Sequence, residues 1–189
     1  NLAADFLTSN GFTEIMSNSL TKAAYYEGLE SYKPENCVRI LNPLSADLNV
    51  MRQTLLFNTM EAVQLNANRR NGNLRLYEFG NCYFYDEAAR DAEKPLSAYS
   101  EQYRLAIAVT GAAVPQSWNA KPQASSFFTL RAVAEKLLRR FGLDIYALKC
   151  EPLQSDLFGD GISLSAGNGR ELLQMGVVAP RIRRAFDLK

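Results

Sequence analysis

Leu74-Arg75-Leu76-Tyr77-Glu78-Phe79-Gly80-Asn81-Cys82-Tyr83-Phe84-Tyr85 is the stretch on which the fold assignment turns. Its aromatic and aliphatic side chains suit a pleated, half-buried surface and predict one long strand. Gly80-Asn81 marks a bulge or kink within it. Upstream, residues 55–70 read as a helix, because Leu55, Leu56, Met60, Val63 and Ala67 keep one face apolar at helical spacing. Arg69 and Arg70 complement the carbonyl end of that helix, and Asn71-Gly72 is a stop signal. Downstream, residues 86–103 hold Asp86, Glu87, Arg90, Asp91, Glu93, Lys94 and Pro95, and are expected to form a long mobile loop. Residues 105–110 then read as a buried strand that ends at Gly111.

The flanks add shorter elements. Residues 3–9 end a helix, with Gly11 at the left-handed position that follows it. Residues 14–20 form a strand, Thr21 caps a short helix over 23–29, and residues 38–41 form a strand that runs into the Asn42-Pro43 turn. Residues 112–125, which include the sole tryptophan Trp118, form a second loop. Residues 129–141 form an amphipathic helix with Leu130, Val133, Ala134, Leu137, Leu138 and Phe141 on one stripe. Strands follow at 145–150, 162–166 and 172–178, and Pro180 opens a closing helix that runs to Phe186. Strands outnumber long helices without a βαβ alternation. The expectation is an α+β fold with an antiparallel or mixed sheet and helices on one face.

Composition narrows the chemistry. The 189 residues suffice for one domain, or for two small ones sharing a sheet. With 47% hydrophobic and 22% charged residues, whole-chain disorder is excluded. No run of 18 apolar residues is present, so no transmembrane helix is expected. The chain contains no histidine, which excludes Ser-His-Asp and Cys-His nucleophiles, HExxH zinc sites and any histidine general base. Cys37, Cys82 and Cys150 form no C-x-x-C pair, an arrangement that suits reduced thiols better than zinc or disulfides. The net charge of +1 argues against a major nucleic-acid surface but leaves room for a local basic patch.

Several motifs have simpler structural explanations. Gly159-Asp160-Gly161 and Gly167-Asn168-Gly169 lack the GK[ST] of a phosphate loop and read as two hairpin turns. Asp156 and Asp160 lack calcium-loop spacing. Arg181, Arg183 and Arg184 read as a solvated helix face. Tyr77, Phe79, Tyr83, Phe84 and Tyr85 are more readily core strand residues than a stacking platform for bases.

Three segments rise above that background when taken together. They are Gly11-Phe12-Thr13-Glu14-Ile15; Asn42-Pro43-Leu44-Ser45 with Val50-Met51-Arg52-Gln53-Thr54-Leu55-Leu56 and the 74–83 strand; and Gly176-Val177-Val178-Ala179-Pro180-Arg181 through Leu188. In this order and spacing the chain resembles the catalytic-like core of the bacterial phenylalanine–tRNA ligase beta-subunit family, over nearly its whole length. The signature positions carried over are Asn42, Pro43, Met51, Arg52, Glu78, Gly80, Gly176 and Pro180. Ala179 departs from the family, which often has histidine before that proline.

The resemblance implies a class II aminoacyl-tRNA synthetase-like fold: an antiparallel sheet flanked by helices, in a single catalytic-like core domain over 1–189. It implies that Phe84 and Tyr85 stand at degenerate motif-two positions, where an active class II subunit carries phosphate-clamping arginine. A neutral ring there cannot stabilise the charge of adenylate formation. No match to the third class II motif precedes Lys189. With Asn1 in place of an initiator methionine, this leads us to expect a piece of a longer subunit. The implied role is a non-catalytic interface module with no catalytic, cofactor or metal residue of its own, paired with a catalytic alpha subunit in a cytoplasmic (αβ)2 heterotetramer. Helices near the start of the chain are the implied contact. ATP, magnesium and tRNA engage the whole enzyme.

Two other functions stay open at this point. An autonomous class II-like amino-acid-adenylating enzyme needs a phosphate clamp, for which Arg52, Arg75 and Arg104 are the candidates. The structural alternative for Arg52 is a hydrogen-bonding residue at the sheet edge, with an ion pair to Glu78 as a further option. A tRNA-binding module is the third function, weakened by the even charge balance.

Overall fold

The Asn1 side chain accepts from the Ala3 N–H and opens helix α1, Leu2–Ser9. Gly11, at φ +77°, then takes the left-handed position expected after that helix. The computed structural model describes residues 1–43, 45 and 47–188; Leu44, within the Asn42-Pro43 motif, and Lys189 lie outside them. The chain divides into two compact units. The first holds Asn1–Glu14, Ala62–Tyr77 and Ile107–Lys189, and the second holds Ile15–Glu61 and Glu78–Ala106.

After α1 come β1 (Thr13–Glu14), β2 (Leu20–Thr21), β3 (Val50–Met51), α2 (Leu56–Asn68), β4 (Leu74–Tyr85) and β5 (Tyr99–Thr110). Next are β6 (Ala112–Val114), β7 (Gln123–Ala124), α3 (Phe127–Arg140), β8 (Lys149–Pro152), β9 (Phe158–Ser165), β10 (Glu171–Val178) and α4 (Pro180–Ala185). The strands form sheets of order β1-β4-β5 and β10-β9-β8, with two-stranded pairs β2-β3 and β6-β7. The architecture is α+β.

In the first unit, α3 packs on the β8–β10 sheet. Ala134 and Leu138 meet Leu164 and Met175, with Leu130, Ile162 and Leu173 around them. This is the stripe that the helical spacing predicted. Ser126 and Thr129 close a reciprocal capping box at its start. Gly161 and Gly176 face each other in the β9–β10 ladder. A Cβ on Gly161 would lie 2.6 Å from the Met175 carbonyl oxygen. Gly159–Gly161 is therefore strand, not the first of two hairpin turns. Gly167–Gly169 is the turn, with Gly169 at φ +82°.

Several expected elements are shorter or longer in the structure. Residues 14–20 are not one strand: β1 and β2 are separated, and Ser17 donates its N–H to the Glu78 carboxylate in place of a ladder partner. Thr21 does not cap a helix. It pairs with Val50 in β2–β3, and only a 3-10 turn at Ala23–Tyr26 follows. Residues 38–41 supply one isolated bridge, Arg39 to Val50. Ile145–Ala147 is a 3-10 turn in which the Asp144 side chain accepts from the Tyr146 N–H, so β8 starts only at Lys149.

The loop expected over 86–103 ends at 98, where the Asp86 N–H donates to the Ala98 carbonyl at 2.8 Å. Residues 99–103 are strand, since pairing in the sheet satisfies a backbone whose Ser100, Glu101 and Gln102 carry no apolar signal. Residues 112–125 hold the β6–β7 pair. Helix α2, strand β4 and helix α4 lie within two residues of expectation. No helix among the described residues is long and apolar enough to cross a membrane.

Candidate functional site

Strand β4 alternates faces, so Glu78, Gly80, Cys82 and Phe84 share one side, and Phe79, Asn81, Tyr83 and Tyr85 share the other. Arg52 follows β3. Its backbone N–H donates to the Ser19 carbonyl at 2.9 Å, and its carbonyl accepts from the Tyr83 N–H at 2.8 Å. These bonds aim the side chain at the Glu78 face.

Arg52 is 3% exposed and Glu78 1%. Arg52 Nη1 meets Glu78 Oε1 at 2.7 Å, and Arg52 Nε donates to the Asn81 carbonyl at 3.0 Å. The other carboxylate oxygen, Oε2, accepts from Ser17 Oγ at 3.0 Å, and Oε1 also accepts from Ser17 N–H at 3.1 Å. Two opposite charges taken out of water in this way need their remaining hydrogen-bonding capacity filled, and here it largely is. A Cβ on Gly80 would collide with the Arg52 guanidinium. That close approach is what glycine answers there. Arg52 is thus a buried ion-pair partner in place of a sheet-edge residue.

Phe84 and Tyr85 lie on opposite faces, so consecutive motif-two positions cannot address the same ligand. The Phe84 ring lies beneath Arg104, whose guanidinium carbon is 5.2 Å from the ring centroid. Arg104 also donates to Tyr32 Oη at 2.8 Å and, through Nη2, to Gln102 Oε1 at 2.6 Å. Tyr32 stacks on Phe84 at 6.5 Å between centroids. Tyr85 packs on Tyr99 on the other side. In the first unit Arg75 donates to the Asn10 and Ala113 carbonyls.

Of the remaining signature residues, Met51 pairs with Leu20 in β3, while Asn42 and Pro43 are exposed in the segment before it. Gly176 serves the β9–β10 ladder and Pro180 the first turn of α4 in the other unit.

Sequence alone missed a second buried polar group beside Arg52. The Gln53 N–H donates to Tyr26 Oη at 2.9 Å, and Gln53 Nε2 donates to the Lys33 carbonyl and to Cys37 Sγ, both at 3.0 Å. Burial raises the Tyr26 hydroxyl and the Cys37 thiol above their ordinary values. Burial also raises the Cys82 thiol, against the lowering influence of the Arg104 and Arg52 charges. The only advance signal was a glutamine between Arg52 and Thr54 in a segment flanked by apolar residues, and glutamine alone names no partner.

The architecture is shared with aminoacyl-tRNA synthetases. Two solved structures of pyrrolysyl-tRNA synthetase from Desulfitobacterium hafniense superpose over all of this chain, with TM-scores of 0.68 and 0.69 at 16% identity, covering 61% and 60% of those chains. Residues 1–189 match the family described as "Phenylalanyl tRNA synthetase beta chain CLM domain", and the chain belongs to that family. Similar relatives are the phenylalanine–tRNA ligase beta subunits of Bacteroides thetaiotaomicron, 47% identical over 188 residues, and of Porphyromonas gingivalis, 38% identical over 188. Both alignments cover all of this chain, which spans 23% of the length of each relative.

Proposed function

We propose that this chain is a non-catalytic interface module of a phenylalanine–tRNA ligase beta subunit, built on the class II plan of an antiparallel sheet flanked by helices. The observation that carries it is the engagement of the guanidinium groups of Arg52, after β3, and of Arg104, on β5. Arg52 is buried against Glu78, and Arg104 lies on Phe84 between Tyr32 and Gln102. Clamping a triphosphate needs a fork free to take two phosphate oxygens. Releasing Arg52 would strand Glu78 as an unpaired buried charge. These side chains therefore do not fit a nucleotide phosphate.

On this reading the partner is a catalytic alpha subunit in a cytoplasmic (αβ)2 assembly, which attaches phenylalanine to its tRNA with ATP and magnesium. The test is co-expression of the full-length beta subunit with its alpha subunit, followed by size exclusion with light scattering and an aminoacylation assay. Co-elution as a heterotetramer is expected, and Arg104→Gln should leave the charging rate within about threefold of wild type. Separate elution overturns the pairing. A loss of ~10²-fold or more in Arg104→Gln, the size expected when a transition-state charge partner is removed, overturns the non-catalytic assignment.

A further inference from the structure

Strand β4 turns Phe79, Asn81, Tyr83 and Tyr85 away from the buried Arg52–Glu78 pair. Strand β5 meets that face. Phe79 stacks on Tyr103 with 6.1 Å between centroids and planes 9° apart, Asn81 Nδ2 donates to Glu101 Oε1, and Tyr85 packs on Tyr99 at 5.2 Å. The result is a row along the hairpin: a ring pair, an amide–carboxylate pair, then a second ring pair. Tyr99, Glu101 and Tyr103 are same-face neighbours, so each ring stands about 6–7 Å along the strand from the carboxylate. Tyr99 is 48% exposed and Tyr103 70%, and Glu101 is exposed between them. All of these residues belong to the second unit.

The second ring pair also lines a cavity of about 340 Å³ at the hairpin connection, together with Arg90, Asp91 and Pro95, among others. Arg90 is met by Glu87 at 3.4 Å. Glu101 and Asp91 have no cation partner among the described residues. From residue 86 to 101 the chain carries Asp86, Glu87, Asp91, Glu93 and Glu101 against only Arg90 and Lys94. On β5 itself, Arg104 is turned to the opposite face, over Phe84.

A face of this kind limits what can cover it. An apolar partner gains the rings but strips water from Glu101 and leaves its charge unpaired, which is costly. An acidic partner is repelled. A cation satisfies the carboxylate and, at the same time, the negative faces of the rings on either side. Guanidinium fits best, because it can lie flat on a ring while its N–H groups, in the same plane, reach the carboxylate. We propose that this row is a docking surface for an arginine-bearing segment of a protein partner, with one guanidinium held at Glu101 between the Phe79–Tyr103 and Tyr85–Tyr99 pairs. The cavity beside Tyr99, with Asp91 in its lining, takes a second cationic side chain of the same segment. The inference stands apart from the proposed pairing with an alpha subunit.

The test uses the full-length beta subunit as purified after co-expression with its alpha subunit, and fluorescence anisotropy of a fluorescein-labelled decapeptide of alternating arginine and alanine. An otherwise identical citrulline peptide keeps the planar side chain and removes the charge. The arginine peptide should bind, and the citrulline peptide should bind at least about tenfold more weakly. Glu101→Gln should weaken arginine-peptide binding by about tenfold. Tyr103→Leu keeps apolar bulk but removes the ring face, and should weaken it by about threefold to tenfold. Glu35→Gln removes an exposed acid elsewhere in the same unit and should bind as wild type. Melting temperatures should be unchanged in all three variants. No saturable binding of the arginine peptide, wild-type affinity in both Glu101→Gln and Tyr103→Leu, or an equal loss in Glu35→Gln would overturn the proposal. So would loss of alpha-subunit assembly in Glu101→Gln and Tyr103→Leu, since that marks the face as a contact between the two subunits. Spermine binding tighter than the peptide, with the same dependence on Glu101 and Tyr103, would replace the protein partner with a free polyamine and overturn it as well.

Discussion

Arg52 shows how far a single residue can be understood before the structure is known. Its type and its place after Val50-Met51 are plain in the chain, yet its role depends on Glu78, 26 residues away, and on the missing side chain of Gly80. Replacing Arg52 with methionine strands the Glu78 charge and should cost about 3–5 kcal/mol in urea denaturation. Arg52→Met/Glu78→Met should recover much of that loss, because both desolvated charges are then gone. Gly80→Ala should cost about 1–3 kcal/mol by overpacking against the guanidinium. The thiols give a pH dependence. Burial holds Cys82 above its unfolded value of about 8.5, so the unfolded chain deprotonates first as pH rises. Its contribution is fully present below that value and is lost as pH climbs towards the folded pKa. The urea midpoint should fall as pH rises above about 8.5, and less steeply in Cys82→Ala. A disulfide-exchange reagent at pH 8 should modify exposed Cys150 quickly, and Cys37 and Cys82 only on unfolding.

Elements were legible in proportion to how local their determinants are. Helix α3 follows from an apolar stripe within 14 residues and a capping box beside it. Removing that cap with Ser126→Ala should cost about 1 kcal/mol, measurable as a shift in thermal unfolding. Strand β4 follows equally well, since its aromatic and aliphatic run is broken by charge only at Arg75 and Glu78. The first half of β5 was hidden because its side chains are solvated and its pairing partner lies across a loop. Residues 14–20 were misread for the converse reason: strand-forming residues there give up ladder bonds to a carboxylate on β4. Gly159–Gly161 resembled a turn in composition, but two strands at backbone contact demand glycine just as a turn does.

For the whole molecule, the lone tryptophan makes a direct check. Trp118 is exposed, so its emission should be solvent-like and freely quenched by acrylamide in the native state, and should shift little on denaturation. A blue-shifted, protected emission would contradict the hairpin placement. Composition and order of motifs determined the α+β class, the absence of histidine chemistry and the family, because apolar periodicity and residue type are properties of the chain itself. Tertiary structure alone decided that Arg52 and Glu78 neutralise each other, that Arg104 closes over Phe84, and that Phe84 and Tyr85 face opposite ways. Ion pairs, stacks and charge clusters depend on distances between residues far apart in the chain. Those distances do not exist until the strands are paired.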